Sequence, residues 1–299
     1  MGHGSRFVIP FKNTELDLNN RTVVMAILNM SPESPVSQSV VTPEQAIERA
    51  TQLRKEGAII IDVGGHSSSS KAEDIDTEEE IDRVIPVIQA LVREGFLVSL
   101  DSWNPTVARE AAKVGVHLLN DINGLQNPEM VEVARQYDLP VCVMHMRGKP
   151  KEHYRVDQTY PNITRDVLGW LNDRVDELTQ AGIKREKIIL DPGYEFGKSL
   201  NDNLQLLWDS PQLLRFGLPI LVSASRKAFI AEAVGIGRKQ EGEGLLEGSM
   251  AVQTLSALFG AHILRVHDVR TASYIVQFMN KLRHVAMSRS LGPTCAPNN

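Results

Sequence analysis

The residues most capable of chemistry stand at the ends of short apolar runs. Asp191 closes Ile188-Ile189-Leu190, Pro192-Gly193 then breaks the chain, and a Gly197-Lys198 loop follows. Asp62 follows residues 58–61, Asp101 follows 96–100, and Asn120-Asp121 follows 117–119. Asn29 follows 23–28, His145 follows 141–144, and Ser225-Arg226-Lys227 comes after 220–222. The last run, 263–266, carries Arg265 and ends at His267-Asp268. Arg265 and His267 are two residues apart on an extended chain, so their side chains leave the same face. Ionisable groups at the carboxyl ends of parallel strands mark the face where barrel enzymes bind and react. Taken singly, each residue also has a plain reading. A strand-end Asp can cap the next helix or turn, Lys198 can be a solvated loop lysine, and Cys142 is a core residue. His145 reads as a satisfied structural histidine, and His66 and His117 as structural or exposed. The same property at eight strand ends is much harder to explain that way.

The elements that must position these groups follow from the pattern between them. Runs of large aliphatic residues without alternation indicate strands buried on both faces, as in a parallel sheet. Helical periodicity fills the intervals. Thr42-Pro43-Glu44 opens a helix with Thr42 as N-cap and Gly57 after its end. Thr77-Glu78-Glu79-Glu80 reads as a capping box. Further helices are expected over 105–114, 128–137, 163–181, 203–216, 248–259 and 269–288. Eight strand-then-helix units predict a single-domain α/β protein, a (β/α)8 TIM barrel, in preference to a doubly wound open sheet. Residues 1–21 form an N-terminal extension whose segment 7–17 reads as a ribbon across the barrel's bottom. Residues 22–288 form the barrel, and 289–299 a flexible tail. The two longest polar connections, 30–41 and 64–76, follow the first two strands; the second contains Ser67-Ser68-Ser69-Ser70. Loops of that length on that face serve as lids or substrate contacts.

Composition narrows the function classes. The chain has 299 residues, 42% of them apolar, ample for a core, and a net charge of −5 argues against nucleic-acid or membrane-surface partners. Two cysteines form neither a disulfide framework nor a zinc pattern, which suits a reducing cytoplasm. No apolar run approaches membrane-spanning length.

The strand-end stretches together resemble dihydropteroate synthase and the wider pterin-binding barrel family. They are Leu28-Asn29-Met30-Ser31-Pro32-Glu33-Ser34, Ile61-Asp62-Val63-Gly64-Gly65, Asp101-Ser102 and Asn120-Asp121-Ile122-Asn123-Gly124-Leu125 in the first half. In the second half they are Val143-Met144-His145-Met146-Arg147-Gly148, Leu190-Asp191-Pro192-Gly193-Tyr194-Glu195-Phe196-Gly197-Lys198, Ser225-Arg226-Lys227 and Arg265-Val266-His267-Asp268. The resemblance implies an enzyme that joins 4-aminobenzoate to a dihydropterin pyrophosphate, with Mg2+, in folate synthesis. It assigns the pterin's donor edge to Asp191, its O4 and N5 to Lys227, and the far ring edge to Asn120 with Asp101 nearby. Arg265 would lie on the ring face. Met144 and Phe196 would wall the slot, and Asp62, Glu195, Lys198 and Ser225 would complete the substrate site. Asp101 would stabilise positive charge on the pterin methylene once pyrophosphate leaves. Asn29, with magnesium, together with Arg265 and His267, would hold the departing anion. Members of the family are commonly homodimers.

The departures from the family pattern cluster in the loops. Its first loop runs Asn-x-Thr-Pro-Asp-Ser-Phe; here Pro35 takes the Phe position. Its second loop carries an Arg where this chain has Ser69, and Asp-Thr-Tyr-Lys has become Asp101-Ser102-Trp103-Asn104. In its Gly-Ile-Gly-Phe-Gly-Lys segment a glycine is replaced by Glu195. Three readings stay open from sequence: a synthase with rewritten loops and altered sulfonamide response, an enzyme that acts on pterins or folates with another second substrate, and an inactive pterin binder.

Overall fold

The structure, a computed structural model, describes residues 7–31, 41–69, 72–153, 155–237 and 244–290. Most of the rewritten first loop, including Pro35, lies outside the described residues, as do Ser70 and the tail from residue 291. The chain opens with an antiparallel hairpin of β1 (Val8–Pro10) and β2 (Glu15–Asp17). Eight strands follow: β3 (Val23–Asn29), β4 (Ala58–Gly64), β5 (Leu97–Asp101), β6 (Leu118–Asp121), β7 (Val141–Met144), β8 (Ile188–Asp191), β9 (Leu221–Val222) and β10 (Ile263–Val266). They pair in parallel in the order β8-β7-β6-β5-β4-β3-β10-β9. A bridge between Leu190 and Ile220 joins the two ends of that order, with Leu190 N–H donating to the Pro219 carbonyl at 2.9 Å. The sheet thereby closes into the (β/α)8 barrel, and closure removes the sheet edge.

The period of two along each strand sorts its side chains. Met25, Ile60, Leu118, Cys142, Ile189, Leu221 and Ile263 form one interior cluster with Ile9, Phe11, Leu16 and Leu18, so the hairpin covers the barrel's lower opening. Their neighbours along the strands, such as Val24, Ala26, Ile61, Val63, Val143 and Leu190, face outward into the layer shared with the helices. The upper end of the barrel is left to polar residues.

The helices are α1 (Ala46–Lys55), α2 (Thr77–Arg93), α3 (Pro105–Lys113), α4 (Pro128–Gln136), α5 (Ile163–Gln180), α6 (Leu200–Trp208), α7 (Ala228–Ala233), α8 (Leu245–Leu258) and α9 (Val269–Ser290). Asn104 and Asn127 cap α3 and α4, each accepting a backbone N–H at 3.0 Å, and a proline follows each of them. Two expectations shift. The cap of α2 is Asp76, which accepts from Glu79 N–H at 2.8 Å, one residue before the Thr77 box read from sequence. A carboxylate there gains from the helix dipole as well as from the bond. The pattern over 203–216 divides into α6 and a 3-10 stretch, Ser210–Phe216. Pro211 cannot continue α6, because it has no N–H to donate and its ring clashes with the preceding turn.

Candidate active site

The end of β10 supplies the centre of the upper face. Arg265 Nε donates to Asp62 Oδ2 at 2.5 Å, and its Nη2 donates to Asp101 Oδ2. Nη1 reaches Ser223 Oγ at 3.4 Å. One guanidinium therefore ties the ends of β4, β5 and β10 to the segment after β9. Burial alone would lower its pKa, but the Asp62 and Asp101 carboxylates outweigh that and raise it. Asn120, on β6, donates to the same Asp62 Oδ2 at 3.1 Å. The other oxygen, Asp62 Oδ1, is buried without a partner among the described residues. A buried acceptor left this way is costly, and a ligand's donor reaching it from the site would satisfy it.

Two more carboxylates sit in the same field. Burial pushes Asp101 up to about 6, against the pull of Arg265, and the Asp62 charge adds to the push. Burial also lifts Asp191 to about 6, opposed by the Gly193 N–H, which donates to Asp191 Oδ1 at 2.7 Å, and by Lys227. Burial lowers Lys227, and the Glu195 carboxylate is the leading influence against that loss. The Lys227 ammonium stands 4.1 Å from the centroid of the Phe196 ring. His267 Nδ1 lies 3.2 Å from Ser225 Oγ. Burial first, then the Arg265, Arg226 and Lys227 charges, depress His267 to about 3, so it is neutral near pH 7.

Asp101, Lys227, Arg265 and His267 are among the residues around a cavity of about 130 Å3 at the carboxyl ends of the strands. Of the residues expected from sequence, Asn29, Asp101, Glu195, Phe196, Ser225, Lys227, Arg265 and His267 line it. Asp62, Asn120, Met144 and Asp191 are buried at strand ends outside that lining. Met144 packs with Ile122, Met146 and Phe196, and Trp103 lies against them, which gives the cavity an apolar flank. Lys198 is placed elsewhere. Its ammonium donates to the carbonyls of Gly193 at 2.6 Å, Phe196 at 3.1 Å and His145 at 3.3 Å, and burial lowers it to about 7. It holds the loop after β8 in shape and does not reach the cavity.

The cavity also recruits residues that sequence reasoning passed over. His66, read as structural or exposed, lines it and packs on Trp103 with ring centroids 4.7 Å apart. Ser223 and His153 line it as well. Ser223 follows the seventh barrel strand, a position that sequence could have flagged. His153 lies in an irregular loop, where no local pattern marks it. His117 is structural, with Nδ1 accepting Val98 N–H at 3.2 Å. Among the described residues no helix is long and apolar enough to cross a membrane.

A closed (β/α)8 barrel with charged groups converging on a cavity at its upper face is the architecture of a barrel enzyme. Residues 25–267 match the profile of the pterin binding enzyme family. The dihydropteroate synthase of Escherichia coli K12 is 40% identical over 264 residues, covering 87% of this chain and 90% of that protein. That of Bacillus subtilis is 33% identical over 278 residues, covering 92% and 93%. Among solved structures, the Yersinia pestis dihydropteroate synthase in complex with a sulfonamide drug superposes with a TM-score of 0.86 at 34% identity, covering 93% of this chain and 99% of that one. The Thermus thermophilus enzyme in complex with 4-aminobenzoate gives 0.81 at 33%, covering 92% and 99%. The chain belongs to the pterin-binding enzyme family, as a transferase of the dihydropteroate synthase type.

Proposed function

We propose that this transferase seats a dihydropterin at the carboxyl ends of β4, β6 and β8 and condenses its pyrophosphate ester with an arylamine, 4-aminobenzoate being the amine named for related structures. The observation that carries the reading is the Asp62–Arg265–Asp101 arrangement, with the orphaned Asp62 Oδ1 and the Asn120 amide beside it. A pterin edge alternates donors and acceptors, and buried, oppositely charged groups fixed at strand ends match such an edge with little reorganisation. Asp191 accepts from the ring's amino and N3–H groups, Lys227 donates to O4 and N5, and Asn120 meets the opposite edge. Phe196 and Met144 supply the apolar walls. Asp101, ionised above about pH 6, stands where the methylene becomes positive as pyrophosphate departs. His267, neutral in the unliganded site, donates to the departing anion or takes up a proton beside it.

Magnesium fits as an ion brought by the substrate. Among the described residues no group of three His, Cys, Asp or Glu side chains forms a metal cage. A Cβ placed on Gly64 would meet Asn29 Oδ1 at 3.5 Å and Asp101 Oδ2 at 3.6 Å, so both oxygens lie beside that glycine, the second of them also accepting from Arg265. Magnesium is commonly held by one or two protein oxygens with phosphate and water completing its shell. Its chemistry there would be to neutralise the leaving pyrophosphate. A cytoplasmic homodimer is the assembly we propose. Tyr274, Phe278, Leu282 and Val285 form an exposed apolar stripe on α9, with Met250 and Leu258 exposed on α8, and such a patch marks an interface.

Isothermal calorimetry and turnover together test the reading. Parent protein should bind a pterin, and should release pyrophosphate from a dihydropterin pyrophosphate when an arylamine is added. Asp191→Asn should weaken pterin binding by about 2–4 kcal/mol, because it removes a charged acceptor and leaves ligand donors unsatisfied. Unchanged pterin affinity in that variant would refute the slot assignment.

A further inference from the structure

Glu195 is a residue in the wrong backbone conformation for its type. Its φ is +75°, the left-handed region that costs a side-chain-bearing residue about 1 kcal/mol or more relative to glycine. Asn203, fully buried on α6, holds it there by accepting its N–H at 2.6 Å. The side chain is also largely buried, at 8% exposure, yet lines the cavity. Its Oε2 accepts from the backbone N–H of Phe229 at 3.4 Å, two residues after Lys227. A carboxylate buried at this φ carries costs of strain and desolvation that a glycine would not.

What it changes is the charge balance of the cavity wall. Among the described lining residues the fixed cations are Arg226, Lys227 and Arg265. Arg265 is shared by Asp62 and Asp101, and Arg226 forms a two-point pair with Asp268 at 2.7 and 2.8 Å. Lys227 lines the cavity, where the Glu195 carboxylate acts on its charge more strongly than those of Asp191 and Asp101 do. Among the described residues the second loop adds the hydroxyls of Ser67, Ser68 and Ser69, with His66, to the same wall. A pyrophosphate carrying a divalent cation brings its own compensation into such a site, whereas a carboxylate on the amine does not.

We propose that Glu195 is a specificity-determining residue: a resident carboxylate on the cavity wall, held at the Phe229 amide, that lowers the affinity of the amine site for arylamine carboxylates relative to uncharged arylamines. The inference rests on the condensation proposed above. Glu195 lines the cavity, so its charge acts on a ligand carboxylate placed there. One unmatched like charge within several ångströms in such a medium changes affinity by about 10- to 100-fold.

The test compares 4-aminobenzoate with its neutral isostere 4-aminobenzamide, in parent, Glu195→Gln and Glu195→Gly protein, by pyrophosphate release from the dihydropterin pyrophosphate. Binding of each amine to the protein loaded with pterin and pyrophosphate is measured in parallel. The ratio of kcat/KM for the acid to that for the amide should rise about 10- to 100-fold in both variants, with the change in KM, and the binding ratio should follow. Glu195→Gln keeps the size and the backbone strain, so a rise there isolates the charge. A ratio unchanged in both variants, or a change confined to Glu195→Gly, overturns the specificity role while the condensation stands. If no protein consumes either amine, the condensation fails, and the binding ratio alone then decides the role of Glu195.

Discussion

Replacing Arg265 by Met probes the charge structure of the site most directly. The guanidinium is shared by two carboxylates, and side-chain exposures are 15% for Arg265, 0% for Asp62 and 20% for Asp101. With charge centres about 4 Å apart and an effective dielectric near 20, each pair attracts by about 4 kcal/mol. Most of that offsets the desolvation of three ions, and breaking a buried pair by removing one partner costs about 3–5 kcal/mol net. The loss must also depend on pH. Burial already lifts Asp101 to about 6, and Arg265 is the main influence holding it down. Without the guanidinium it rises further, so the native variant keeps a proton that the unfolded chain, with an ordinary Asp near about 3.9, has released. Where the native state binds more protons than the unfolded state, stability falls as pH rises. Parent protein shows this fall only up to about pH 6, whereas in the variant it continues to higher pH. The gap between the two therefore widens from about pH 5 to about pH 8. Urea unfolding at both pH values measures it. A gap below about 1 kcal/mol, or one of equal size at the two pH values, refutes the shared-guanidinium reasoning. Arg265→Lys should recover little, because an ammonium cannot bridge both carboxylates at once.

Three other outcomes follow from the same geometry. His267→Ala should weaken binding of a pterin pyrophosphate by about 1–2 kcal/mol and leave the hydroxymethyl pterin nearly unaffected in calorimetry; equal losses would remove the anion role. The kcat/KM for the dihydropterin pyrophosphate should fall on the acid side with a midpoint near pH 6, where Asp101 and Asp191 take up protons in the free enzyme, and a flat profile down to about pH 4 would contradict their use as carboxylates. Lys198→Met should lower stability by more than about 2 kcal/mol, because three carbonyls lose a donor, and any loss of pterin affinity should track misfolding of the loop after β8; a fully stable variant with weakened pterin binding would make Lys198 a ligand contact after all.

Much of this protein was legible without coordinates. Eight aliphatic runs, each followed by a polar group and then a helical pattern, point to the barrel: a parallel sheet covered on both faces is required by such runs, and eight evenly repeated units with polar strand ends favour its closed form over an open doubly wound sheet. The same runs bring Asp101, Lys227, Arg265 and His267 to one face, since each follows or ends a strand and all the strands point the same way. Partnership was not legible. Nothing local says that Arg265 is divided between Asp62 and Asp101, which lie 203 and 164 residues away. Nor does the sequence say that Lys198 turns inward to three carbonyls while Lys227, on the next loop of the same face, lines the cavity. Glu195 shows the division most clearly. Its identity marks a departure in a motif, but its left-handed backbone, its burial and its contact with the Phe229 amide come from Asn203 on α6 and from the start of α7. Strand-end position is set by local pattern, whereas the state and partners of a buried charge are set by whichever groups closure of the barrel brings within a few ångströms, and only the tertiary structure supplies those.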